Sequence, residues 1–148
     1  MSFYSFIVYL LLLSGCGGFI PAPPSDFREV EFSAGLCEGT CPQFSITINE
    51  TGASTYIAGM FNSREGTFTT VIKPVQLDSL KHFIGSANFN NLASSYATPA
   101  TDMPSYQIKI SFPDGTIKTI DDYGPSGPQA LQQLYGYIFS LRETQDWK

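Results

Sequence analysis

Basic residues are scarce in this chain. Eight Lys and Arg face thirteen Asp and Glu in 148 residues, a formal net charge of -5. So acidic a surface is poorly matched to nucleic acid or anionic lipid headgroups, which recruit positive charge. Histidine is scarcer still: His82 is the only one, a thin basis for general-base chemistry. No serine sits in a Gly-x-Ser-x-Gly elbow, so the familiar acyl-transfer signature is absent. Glycine-rich phosphate loops are missing too, because Gly15-Cys16-Gly17-Gly18 follows an apolar leader rather than a strand-to-helix turn. No apolar run approaches the roughly 20 residues needed to cross a bilayer, and no internal repeat or low-complexity segment breaks the sequence.

The longest apolar run, Phe6-Ile7-Val8-Tyr9-Leu10-Leu11-Leu12-Leu13, has the length of a secretory leader's central region. It closes on Leu13-Ser14-Gly15-Cys16, which resembles the lipobox of bacterial lipoproteins. The resemblance implies cleavage before Cys16 and lipidation of that cysteine by a diacylglycerol and a third acyl chain, palmitate among them. With each buried methylene contributing about 0.8 kcal/mol, two chains already anchor stably. Residues Met1 to Ser5 carry no Lys or Arg; either the free amine supplies the usual positive charge or translation starts elsewhere. Gly17, rather than Asp, follows the cysteine, which resembles the outer-membrane default of Gram-negative lipoproteins. The expected address is the cell envelope, lipid-anchored, at the outer membrane facing the periplasm. The expected organisation is a signal peptide over 1–15, a lipidated cysteine and Gly/Pro-rich tether over 16–26, and one domain over 27–148.

All charged residues follow Cys16, so the acidic balance belongs to the mature chain. With Cys16 assigned to lipid, Cys37 and Cys41 remain, and an exported, oxidising setting predicts a disulfide between them.

Alternation dominates the first half. Val30 and Phe32, then Phe44, Ile46 and Ile48, read as half-buried strands. Glu50-Thr51-Gly52 turns the chain into a strand over Ser54 to Phe61, and the turn Asn62 to Gly66 leads to another over Thr67 to Ile72. These four strands predict an antiparallel meander. Pro74 opens a helix whose stripe is Leu77, Leu80, Ile84 and Ala87, with Phe83 beside it and His82 off it. Tyr106, Ile108, Ile110 and Phe112 alternate, Pro113-Asp114-Gly115 turns, and Thr116 to Ile120 returns as a second hairpin. Pro128 starts a last helix with stripe Leu131, Leu134, Ile138 and Leu141. Its Gly136 lowers helix propensity by about 1 kcal/mol against Ala, which predicts a packing reason for it. The fold class is α+β: an antiparallel sheet packed against two amphipathic helices.

The turn Cys37-Glu38-Gly39-Thr40-Cys41-Pro42 before an alternating strand resembles the start of a bacterial family, domain of unknown function 6438. So do Glu50-Thr51-Gly52 leading to Tyr56 and Gly59, then Tyr96, Thr101-Asp102-Met103-Pro104 and Asp121-Asp122-Tyr123. The resemblance runs from about Phe27 to Leu141. It implies a domain often carried by exported or lipid-anchored bacterial proteins, and no established activity.

Three candidate chemistries remain. Cys37 and Cys41 in a Cys-x-x-x-Cys-Pro turn are similar to the thiolate copper ligands of Sco-type chaperones, and soft thiolates select Cu(I). A copper or thiol-redox role is therefore the alternative to a structural disulfide, although Pro42 leads here into a strand rather than a helix. Asp102, Asp121 and Asp122 would form a cation or acid/base site only if the second hairpin brought Asp102 and Asp121 to one end. Adjacent residues of a strand point to opposite faces, which separates Asp121 from Asp122. The plainer expectation is that Asp102 caps a loop. Finally, Tyr56, Phe61, Tyr96, Tyr106, Tyr123, Tyr135 and Tyr137 either line a ligand groove or pack as core and cross-strand pairs. The functional expectation is a non-catalytic binding domain without cofactor. Its partners are the membrane, through Cys16, and an envelope protein, cell-wall component or small ligand.

Overall fold

The computed structural model describes residues 25–148; the leader, Cys16 and nearly all of the tether lie outside them. Alternating residues form four strands, β1 (Glu29–Ala34), β2 (Phe44–Asn49), β3 (Ala53–Ala58) and β4 (Gly66–Val71). After helix α1 (Pro74–Ser86) come a three-residue strand β5 (Ser95–Ala97), the hairpin β6 (Ser105–Ser111) and β7 (Ile117–Tyr123), and helix α2 (Gln129–Thr144). One seven-stranded sheet results, in the order β4-β3-β2-β1-β6-β7-β5. The meander and the second hairpin are both present, and β6 pairs with β1, so the chain's first strand lies inside the sheet. All pairings are antiparallel except β5 against β7. The stretch Ser95-Tyr96-Ala97 is too short to alternate, which is why sequence pattern does not reveal β5.

The apolar set of the alternation faces the helices. Val30, Phe32, Phe44, Ile46, Ile48, Ile108, Ile110 and Ile120 are buried beneath Leu80 and Ile84 of α1 and Leu131, Leu134, Ile138 and Leu141 of α2. Each such side chain contributes about 1.5–3 kcal/mol when fully withdrawn from water. Phe32 is the hub, with the rings of Phe44, Tyr106, Tyr135 and Phe139 centred between 5.5 and 5.7 Å from its own. Tyr56 and Tyr135 are thus core aromatics, as their packing expectation holds. The edge of β4 is covered near the C-terminus: Thr69 and Lys148 exchange backbone hydrogen bonds of 2.8 and 3.0 Å, and buried Trp147 packs on Tyr56. Covering an edge removes a template for intermolecular pairing.

Two local expectations fail. Strand β3 stops at Ala58, and Phe61, expected within it, lies in the β3–β4 loop with φ of 62°. Gly136 has no packing role: it is exposed, and an added Cβ would meet nothing within 4 Å.

Candidate functional site

Cys37 and Cys41 are joined in a disulfide, with Cα atoms 5.7 Å apart. The turn links β1 to β2, and Gly39 at φ 143° supplies a conformation that side chains resist. With both sulfurs in the bond, no thiolate pair is offered to copper. Among the described residues no three His, Cys, Asp or Glu side chains converge on a metal position, and His82 is exposed on α1. The donor set therefore does not fit the copper reading.

The three aspartates do not form one site. Asp122 points under the helices and is 1% exposed, whereas Asp121 is exposed on the opposite face. The Asp122 carboxylate accepts hydrogen bonds from Ser126 N–H (2.8 Å), Ser126 Oγ (3.2 Å) and Gly127 N–H (3.1 Å). These fasten the turn into α2, whose N-cap Pro128 offers no side-chain cap. Gly127 fits closely there: a Cβ would lie 2.7 Å from Leu131 Cδ2 and 3.0 Å from Asp122 Oδ2, so a larger residue would force these side chains to shift. The Tyr135 hydroxyl is buried without a well-formed hydrogen bond. Burial first, and then the Asp122 charge, push its pKa far above the ordinary phenol value. Asp121 accepts from Gln107 Nε2 at 2.7 Å, in a polar cleft of about 420 Å³ bounded by Ser33, Ser105 and Tyr123. Asp102 contributes its backbone: its carbonyl accepts from Glu38 N–H at 3.1 Å while φ is 63°. Asp122 is a structural carboxylate, and the other two stand apart from it.

The sheet face turned away from the helices is open and polar. Strand registers align Thr67, Ile57, Ser45, Ser33, Gln107 and Asp121 in one row across six strands. A second row holds Thr69, Thr55, Thr47, Glu31, Lys109 and Thr119. On this face Lys109 pairs with Glu31, whose hydrogen bond and negative charge raise the Lys109 pKa. Ser33, Ser45 and Thr47, on the central strands, are only half exposed.

At one end of the strands three loops meet: the disulfide turn (35–43), the β3–β4 loop (59–65) and the segment before β6 (98–104). Gln43 N–H donates to Met60 O (2.9 Å), and Glu38 N–H to Asp102 O, so the disulfide turn ties the other two together. Asn62 locks this end. Its Oδ1 accepts from Tyr56 OH and from Arg142, both at 2.9 Å. Its Nδ2 faces the carbonyls of Gln43 (2.7 Å), Gly59 (3.0 Å) and Met60 (3.2 Å). Burial outweighs the neighbouring Arg142 charge and holds the Tyr56 hydroxyl neutral, its pKa raised. Beside the latch, Phe61 stands 51% exposed. A left-handed backbone at a bulky residue costs of order 1–3 kcal/mol and persists only where its surroundings enforce it. Sequence alone gives Phe61 an aromatic identity but no sign of positive φ, and Asn62 reads there as an ordinary turn residue.

A sheet with one face under two packed helices, and with its disulfide turn on the loop end, defines an α+β domain without an assembled metal centre among the described residues. The chain belongs to the domain of unknown function (DUF6438) family, whose model matches residues 28–142. No curated protein matches it.

Proposed function

We infer that the chain is a lipid-anchored envelope protein whose domain acts by binding rather than by catalysis. The address rests on Leu13-Ser14-Gly15-Cys16 after a short apolar leader, the pattern of a lipidated cysteine. The observation that carries the binding reading is the division of the sheet. One face builds the core, and the other presents two ordered rows of mostly polar side chains, with Ile57 as the apolar member and one ion pair, Glu31 with Lys109. A surface rich in hydroxyls suits recognition of a polar partner. The buried Asp122 carboxylate is taken up by the Ser126 and Gly127 donors, which supports a structural role for it.

Metabolic labelling with an alkyne analogue of palmitate tests the address. Label on the wild-type chain, lost in Cys16→Ser together with membrane association, is the expected result. An unlabelled chain recovered in the soluble fraction contradicts it.

A further inference from the structure

We propose that the loop end of the sheet is a protein-docking tip, and that its partner offers an apolar socket rimmed by Lys and Arg. The proposal rests on the anchored-binding reading and adds the surface and the partner's chemistry. Five of the eight exposed large hydrophobic residues among the described residues lie at this end: Leu36, Ile57, Met60, Phe61 and Met103. The other three lie toward the opposite end of the strands, with Val71 and Val75 around the end of β4 and Ile117 at the start of β7. Isolated exposed aliphatics are ordinary on a protein surface, whereas clustered ones mark contact sites.

The cluster is held rigid. A disulfide closes one loop, the Asn62 latch closes the second, and Glu38 N–H to Asp102 O fixes the third. Phe61 is presented to water in a strained backbone conformation, which a merely structural loop would avoid. A rigid aromatic anchor loses little entropy on contact, and such anchors carry much of an interface's energy.

Charge chooses the partner. Glu38, Glu65 and Asp102 surround the apolar side chains, all three exposed and none in an ion pair. The two cations at this end are both engaged: Arg142 is mostly buried and bonded to Asn62 at 2.9 Å, and Arg64 binds the Trp147 carbonyl at 2.8 Å and the Phe68 ring at 3.9 Å. An acidic rim is repelled by an anionic lipid surface and attracts a basic protein rim. The point of attachment agrees. Ser25 and Asp26 bind Lys81 of α1, and Arg28 bonds the end of β6, so the chain enters at the start of β1. The tip lies at the other end of that strand, about 20 Å away for six extended residues. A tether at one end therefore leaves the other free to meet a protein.

The test is photo-crosslinking in the source bacterium, using the full chain with benzoylphenylalanine at Met60, and at Val75 or Ile117 as controls. The expected result is one discrete adduct to a different protein from position 60 alone. It disappears with Phe61→Asn, which tolerates the same backbone, and weakens severalfold with Glu38→Lys combined with Glu65→Lys. The crosslinked partner peptide carries Lys or Arg beside apolar residues. No adduct, an adduct of lipid mass, a dimer of the chain, or a protein adduct indifferent to these variants overturns the proposal. Fractionation of the same cells separates the two readings: a membrane-bound chain without the adduct defeats the tip alone, and a soluble chain defeats the anchor.

Discussion

The two ends of the strands are built by different means. At the end holding the β2–β3 and β6–β7 turns, local turn chemistry suffices. Asn49 Oδ1 accepts from Thr51 N–H, Thr51 Oγ1 and Ala53 N–H, and Gly52 takes φ 85°. Asp114 does the same for Thr116, with Gly115 at φ 89°. Glycine stands at each of these positive-φ positions, and the turning side chains satisfy nearby donors within four residues. At the opposite end Phe61 and Asp102 adopt positive φ without being glycine. That end depends on a disulfide and on Asn62, which bonds residues 19 and 80 positions away. Local rules hold where a turn only reverses the chain, and they give way where apolar groups are displayed.

Breaking the latch is the largest test of this contrast. Asn62→Ala leaves the Tyr56 hydroxyl buried without its acceptor and frees Arg142. A loss of roughly 3 kcal/mol in urea unfolding is expected, given about 1–3 kcal/mol for each stranded buried group. Cys37→Ser should lower stability by about 2 kcal/mol, the chain-entropy value for so short a ring, with a cooperative transition retained. At the simpler end, Asn49→Ala should cost about 1 kcal/mol, because the lost bonds are exposed and water replaces them. If Asn49→Ala proved as damaging as Asn62→Ala, the contrast between the ends would collapse.

The smallest effect is electrostatic. Hydrogen bonds from the Thr116 N–H and hydroxyl hold the Asp114 carboxyl below its usual pKa. A depressed folded pKa gives a contribution present above the unfolded value and lost as pH falls through the folded one. Asp114→Asn should therefore flatten the loss of stability below about pH 4, near the ordinary Asp value, and leave neutral stability close to unchanged. Denaturant midpoints followed down the acid limb measure it.

Most of the fold was legible in the sequence for a physical reason. Period-two patterns in β1, β2 and β6 and the stripe Leu131, Leu134, Ile138 and Leu141 reflect burial on one face, which composition cannot disguise. The Asp121–Asp122 separation followed from the same alternation. The cysteine pair followed from counting. Strand β5 was invisible because three residues carry no period. The end of β3 was misplaced because Met60 and Phe61 continue a β-like composition while the backbone turns left-handed. Gly136 misled in the other direction, since low propensity can persist on an exposed helix face with no packing benefit. The tip was legible least, because it is made by three distant loops meeting, and only the fold supplies that.

Equilibrium urea unfolding of Phe61→Gly tests the central claim most directly. If Phe61 is held at φ 62° for contact rather than for the fold, relief of strain should leave the domain more stable by about 1 kcal/mol. A destabilisation of that size or more would show that Phe61 anchors the fold, and would contradict the account of this end as a surface built for display.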